Sequence, residues 1–150
     1  MGIQRTSQGA PPGFEYDYVQ FTSPVSITAT TEGTADTIVT GSAVTYDGTT
    51  IVMVECWFPY YTAPPSAGVD TLFVLYDGAS SIGLIGLHSV PSSASSQRPG
   101  PVRGIRRLTP SNASHTYSIR AYVSTGTGSV GAGAGGAGGH MPGFIRITRV

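Results

Sequence analysis

The glycine-rich stretch near the end of the chain is the first place where residue spacing suggests chemistry. Gly131, Gly133 and Gly136 match the Gly-x-Gly-x-x-Gly pattern of dinucleotide-binding turns. That pattern holds a pyrophosphate only where a helix starts on it and an acidic residue follows. The run is too rich in glycine to start a helix, and no acid follows Asp77. We therefore predict a strand-connecting loop at 126–139, whose bare backbone lets neighbouring chain approach closely.

Nucleophilic and metal-binding side chains are few. Cys56 is the only cysteine and lies in the most apolar run, where a thiol packs as a small hydrophobic group. His88, His115 and His140 are far apart and have no second ligand at zinc-site spacing. No serine stands in a Gly-x-Ser-x-Gly turn. We expect no catalytic residue, no metal and no cofactor, although folding or a symmetry axis could still bring histidines together.

Charged residues are sparse and unevenly distributed. Eight acids and eight arginines give a formal charge of zero and, together, 11% of the chain. All the acids lie at or before Asp77, whereas seven arginines follow it, so the two halves must neutralise each other within one fold or between subunits. Neutrality and the absence of lysine argue against nucleic acid. We predict that Arg103, Arg106 and Arg107 pair with acids, with phosphate binding as the alternative.

The elements that must position these residues are strands. The 21 glycines and 11 prolines disfavour helices. Tyr117, Ile119, Ala121 and Val123 alternate with polar residues, which predicts a half-buried strand, and the apolar run 50–58 predicts a central strand. Asp-Gly pairs at 47–48 and 77–78 predict hairpins. About ten strands follow, at 16–21, 25–30, 36–40, 42–46, 50–58, 71–76, 82–88, 102–108, 116–124 and 144–150.

These elements predict an all-β protein, a two-sheet antiparallel jelly-roll sandwich over 16–150. An extended N-terminal arm, 1–15, precedes it and is too polar to fold alone. Within or next to the arm, Ile3, Arg5, Phe14 and Tyr16 are predicted to bind a partner. Residues 1–14 contain no signal-peptide core, and no run approaches the length of a membrane span, so we expect no membrane association.

The C-terminal third resembles a known family. The strand Tyr-Ser-Ile-Arg-Ala-Tyr-Val at 117–123, the Gly-Ala loop and the closing Pro-Gly-Phe-Ile-Arg-Ile at 142–147 are similar to the ending of small bacteriophage virion proteins. Strand order and ending also resemble the jelly roll of the complement globular head and tumour-necrosis-factor superfamily. The resemblance implies a homotrimer without enzymatic activity. For its interface we predict Trp57, Tyr60, Tyr61, Tyr122 and Phe144, with core packing as the alternative for the first three.

The function implied by this resemblance is structural. We expect a trimeric capsid decoration or cementing protein that is made in the host cytoplasm, binds the major capsid protein or another virion protein, and is displayed on the virion. The alternative is a tail-tip or fibre module that recognises a host glycan or protein. A hydrolase or metal-dependent enzyme on the same sandwich is the rival class, which a stoichiometric bound metal would reveal.

Overall fold

The structure, a computed structural model, describes residues 10–65, 68–90 and 100–150. Ile3 and Arg5 lie outside these residues. Within them the chain forms short β-strands, one 3-10 turn at Glu32–Thr34 and no α-helix. The strands are β1 Glu15–Phe21, β2 Val25–Ile27, β3 Asp36–Thr40, β4 Val44–Thr45, β5 Val52–Phe58, β6 Tyr60–Thr62, β7 Asp70–Asp77, β8 Ser80–Ser89, β9 Val102–Leu108, β10 Ser114–His115, β11 Tyr117–Val123, β12 Gly128–Gly131 and β13 Gly143–Arg149. No helix in the described part of the chain is long and apolar enough to cross a membrane.

Two antiparallel four-stranded sheets form the body. The first sheet has the order β1-β13-β5-β9 and the second β3-β11-β7-β8. Their inner faces contribute Val54, Ile145, Phe73 and Ile119 to one continuous core. A three-stranded sheet, β2-β12-β6, and the pair β10-β4 complete the fold. The prediction of an all-β, jelly-roll-like antiparallel sandwich is confirmed.

Alternating and apolar runs fold as their patterns predict. Tyr117, Ile119, Ala121 and Val123 are all buried on one face of β11, because successive side chains of a strand point to opposite faces. β5 lies between β13 and β9, which confirms a central strand. A central strand has a neighbouring strand on each side, and the side chains of these neighbours shield its own side chains from water. This accounts for the nearly continuous apolar sequence of β5.

One of the two predicted hairpins is wrong. β7 and β8 pair around Asp77-Gly78, as expected. The residues before Asp47, however, form β4 and pair with β10 and not with β5. The Asp47 carboxylate instead accepts hydrogen bonds from the backbone N–H groups of Thr49 and Thr50, at 2.8 and 2.7 Å. These bonds satisfy the turn locally without bringing the flanking strands together.

The glycine-rich segment is only partly a loop. Its first part is β12, which is largely buried and pairs with both β2 and β6. Tyr60 lies directly opposite Gly131, and its ring occupies the space that a Cβ at Gly131 would need. The rest folds back on itself, with the Gly133 N–H donating to Met141 and the Gly135 N–H to His140. Glycine here serves packing within one chain.

The chain before β1 already contacts the sandwich. The Gly13 N–H donates to the Arg149 carbonyl at 2.8 Å, and the Arg149 N–H donates to the Phe14 carbonyl at 2.9 Å. Tyr16 is fully buried against Tyr46, with 5.6 Å between the ring centroids. Tyr16 is therefore part of the core and is not exposed for docking. Phe14 is exposed and packs edge-on against Tyr16.

Candidate functional site

The outer face of the first sheet brings aromatic and charged side chains from all four strands into register. One cross-strand row joins Gln20, Phe144, Trp57 and Arg103. The neighbouring row joins Tyr18, Arg146, Glu55 and Ile105. A third row joins Glu15, Thr148, Met53 and Arg107. We call the set Tyr18, Phe144, Trp57, Glu55, Arg103 and Arg146 the aromatic face.

Three rings form a continuous line across the aromatic face. The ring centroids of Tyr18 and Phe144 lie 5.2 Å apart, and those of Phe144 and Trp57 lie 6.2 Å apart with planes only 25° from parallel. Gln20 donates from its amide to the Tyr18 hydroxyl at 2.8 Å and so restrains that ring. Tyr18 is 41% exposed. The line combines apolar surface with access to solvent.

A buried carboxylate organises the charges beside the rings. Glu55 is buried, and Arg103 donates from Nε to Glu55 Oε1 at 2.9 Å while its Nη2 lies 2.8 Å from the same oxygen. Arg146 Nη2 lies 2.5 Å from Glu55 Oε2. Burial, the largest influence on the pKa of Glu55, raises it. The hydrogen bonds and charges of Arg103 and Arg146 together outweigh burial, so the pKa of Glu55 lies below its ordinary value.

Both arginines keep much of their surface in solvent despite these bonds. The Arg103 side chain is 61% exposed and that of Arg146 is 43% exposed, against 10% for Glu55. A guanidinium group carries five N–H donors in a fixed plane, so each arginine keeps further donors after it has bonded the shared carboxylate. The arrangement is suited to binding through planar apolar contact and charged hydrogen bonds. Neither a thiol nor a histidine stands in the three rows.

The five residues predicted for a trimer interface do not share one surface. Trp57 and Phe144 lie together on the aromatic face. Tyr122 belongs to the second sheet, Tyr61 is buried in the core, and Tyr60 lies over Gly131. The interface itself stays a prediction. The aromatic face also contains Tyr18, and it contains Glu55 and Arg146, which sequence reasoning did not assign to a site; only the pairing register places all three beside Trp57.

The predicted pairing of Arg103, Arg106 and Arg107 with acids holds for one of the three. Arg103 bonds Glu55, but neither Arg106 nor Arg107 forms an ion pair with any described residue. The acids of the first half are used differently. Asp36 accepts from the N–H groups of Thr28 and Ala29, and such bonds take the place of arginine partners. Backbone hydrogen bonding, foremost from Ala29, holds the pKa of Asp36 below its ordinary value.

A cavity of about 310 Å³ lies between the edge strands β8 and β9. Tyr61, Phe73, His88 and Val102 line it. The Tyr61 hydroxyl and His88 Nε2 are buried and have no hydrogen-bond partner within the described ranges. Because residues 91–99, which connect the two strands, lie outside those ranges, the cavity is not included in the candidate site.

Among the described residues, the histidines belong to no cluster that could hold a metal ion. In residues 10–65, 68–90 and 100–150 no three His, Cys, Asp or Glu side chains come together. His115 does lie between Asp77, 2.5 Å from Nδ1, and Ser111, whose hydroxyl is 3.0 Å from Nε2. The Ser111 carbonyl, which can only accept, is 3.1 Å from the same Nε2. The ring therefore links the loop at Ser111 to the end of β7 at Asp77.

No protein-family model matches this chain, and no curated protein matches it either. Solved structures do match it. The C-terminal CBM6 of LamC, a marine laminarinase from Zobellia galactanivorans, is 13% identical, with 90% of each chain covered and a TM-score of 0.30. The carbohydrate-binding module CBM6cm-2 of Cellvibrio mixtus lichenase 5A, solved with cellotriose, is 16% identical over 93% of this chain and 92% of that one, with a TM-score of 0.30.

These comparisons correct the expected function. Both structures are carbohydrate-binding modules and neither is a capsid protein, so the prediction of a capsid decoration or cementing protein is wrong. The alternative, recognition of a host glycan, agrees only loosely. Neither structure supports the resemblance to bacteriophage virion proteins or to the tumour-necrosis-factor superfamily. At these identities and TM-scores the likeness concerns the fold alone, and no residue role is taken from either module.

Proposed function

We propose that this domain is a non-catalytic glycan-recognition module that binds its ligand on the aromatic face. The observation that carries the proposal is a line of three rings, the exposed Tyr18 and the partly exposed Phe144 and Trp57, beside a glutamate that fixes two arginines. Sugar rings present apolar C–H surfaces and hydroxyl groups at the same time. A site with aromatic surface and a few placed polar groups complements both.

The aromatic face is arranged before any ligand arrives. Gln20 restrains the Tyr18 ring, and Glu55 restrains Arg103 and Arg146. Side chains that are already ordered lose little conformational entropy on binding, which raises affinity for a given set of contacts. Four strands at roughly 4.8 Å spacing extend about 14 Å across the sheet, enough for a short oligosaccharide. The open, shallow geometry favours an extended chain over a small enclosed molecule.

The proposal is tested by isothermal titration calorimetry and affinity electrophoresis against soluble polysaccharides, with laminarin, mixed-linkage β-glucan and polygalacturonate as the first panel. We expect at least one polymer to bind, and Trp57→Ala and Tyr18→Ala to weaken binding by about tenfold each. Tyr122→Ala is the matched control, because Tyr122 is a partly exposed tyrosine of the opposite sheet. Thermal unfolding of each variant establishes that it is folded.

Two outcomes would contradict the proposal. One is that no polymer of a panel widened to host-cell glycans binds the folded protein. The other is that Tyr122→Ala abolishes binding while Trp57→Ala and Tyr18→Ala leave it unchanged, which would move the site to the second sheet.

A further inference from the structure

We infer that the aromatic face selects acidic glycans, whose sugars carry carboxylate or sulfate groups. This inference rests on the proposed function and adds the ligand's charge to it. It starts from a count of charges in the three rows of the outer face, where Arg103, Arg107 and Arg146 stand against Glu55 and, at the β1 edge, Glu15. The face therefore has an excess of positive charge, although the whole chain is neutral.

Glu55 holds the arginines in place but does not use up their hydrogen-bonding capacity. It lies on β5, between Arg146 on β13 and Arg103 on β9, and it bonds one guanidinium with each carboxylate oxygen. Without it, two guanidinium groups on strands flanking the same neighbour would repel each other and take up separate rotamers. With it, both are fixed, and most of the Arg103 side chain and nearly half of the Arg146 side chain still face solvent.

Fixed, exposed guanidinium groups favour anions over hydroxyls. Their planar N–H pairs match carboxylate and sulfate oxygens in a bidentate geometry, and such charge-assisted bonds are roughly twice as strong as neutral ones. The guanidinium groups of Arg146 and Arg103 converge on the two oxygens of one carboxylate, so the two cations lie close together. Two neighbouring cations attract an anionic group of a sugar more strongly than one arginine does. The neighbouring rings supply contact with the sugar itself.

The test uses one polymer in two charge states. Polygalacturonate and its methyl ester share a sugar backbone, but only the first is charged, and dextran sulfate against dextran is a second such pair. We expect the charged member of at least one pair to bind at least tenfold more tightly, with an affinity that falls steeply between 50 and 500 mM NaCl because salt screens exposed charges.

Substitutions test whether the preference for the charged polymer arises on the aromatic face. Arg103→Gln and Arg146→Gln should each weaken binding of the charged polymer about tenfold, and more than they weaken binding of the neutral one. Arg106→Gln is the matched control. It removes the same charge from the same strand, but Arg106 lies opposite the buried Val54 in the register and so outside the aromatic face. The exposed Arg103 provides the test even where Arg146→Gln fails to fold.

Three results would overturn the inference, and each has its own consequence for the proposed function. Equal affinity for charged and neutral polymers shows a glycan module without charge selection, so the inference fails and the proposed function remains. Equal weakening by Arg106→Gln and Arg103→Gln shows attraction by overall charge and also overturns it. Absence of binding to every polymer overturns both.

Discussion

Glu55 is the residue on which the stability and the shape of the aromatic face both depend. Replacing it by Gln removes the partner of two arginines in a buried position, and we expect a loss of about 2 kcal/mol in the free energy of unfolding at pH 7. Urea unfolding measures the loss. Glu15→Gln is the control, because Glu15 is an exposed glutamate of the same sheet, and it should change stability by less than about 0.5 kcal/mol.

The same residue gives a pH dependence with a definite sign. The pKa of Glu55 is lower in the folded protein than its ordinary value of 4.5. Its contribution to stability is therefore complete above about pH 4.5 and is lost as pH falls through the lowered folded-state pKa. The wild-type protein should lose its advantage over Glu55→Gln in that acid range. An advantage that persists unchanged below it would show that ionisation of Glu55 does not stabilise the fold.

Cys56 should be chemically silent in the native state. Its side chain is 1% exposed, and burial raises the pKa of the thiol to about 12. Because the thiolate is the reactive species, Ellman's reagent at pH 8 should leave the folded protein unlabelled and react with one thiol per chain once urea unfolds it. Rapid labelling without denaturant would mean that the sandwich opens at β5.

Single residues were predictable wherever a short-range pattern decides their environment. Cys56 and the buried residues of β11 follow directly from an apolar run and from period-two alternation. The burial of Tyr16 could not be predicted, because it depends on Tyr46, far from it in sequence. The aromatic face could not be predicted for the same reason: Tyr18, Trp57 and Phe144 meet only through the pairing of β1, β13 and β5.

At the scale of elements, the Asp-Gly pairs predicted both turns correctly. They did not predict correctly, in both cases, that the strands on either side of the turn pair with each other. Both Asp-Gly pairs are turns, and both glycines have positive φ. Only the second turn connects paired neighbours, because Asp47 satisfies two N–H groups and β4 pairs with β10. β12 was missed because two of its four residues are glycine and its burial comes from β2 and β6 on either side.

After β12 the glycine-rich segment folds back on itself, and this requires that residue 133 has no side chain. A Cβ there would lie 2.6 Å from the His140 carbonyl oxygen, and a backbone atom cannot move aside as a side chain can. We expect Gly133→Ala to destabilise the protein by about 1–3 kcal/mol in thermal or urea unfolding. Gly33→Ala is the control, since a Cβ at Gly33 meets nothing within 4 Å. Equal stability of the two variants would contradict the close approach.

For the whole molecule, the uneven distribution of charge along the chain is partly resolved inside one protomer. Glu55 of the first half meets Arg103 and Arg146 of the second on neighbouring strands of one sheet. In the three rows on the outer face of the first sheet, three arginines stand against two glutamates. Two copies meeting through that face would bury arginines against arginines, which disfavours self-association there.

The predicted homotrimer therefore needs another surface, and the exposed edge at β8 is the one through which we expect copies to associate. Ile82, Leu84 and Leu87 are exposed on this strand, which contains no charged residue and no proline to protect its edge. Burying such a strand against a second copy removes apolar surface from water without bringing like charges together.

Sedimentation velocity over a range of protein concentrations tests this association. We expect an assembly larger than one protomer that persists at 500 mM NaCl, since no charges hold the edge. The double substitution Leu84→Ser with Leu87→Ser should shift the protein to the monomer, whereas Tyr18→Ala, on the opposite side of the sandwich, should leave the assembly intact. A monomer at all concentrations, or an assembly dissolved by salt and indifferent to the leucines, would exclude β8 as the interface.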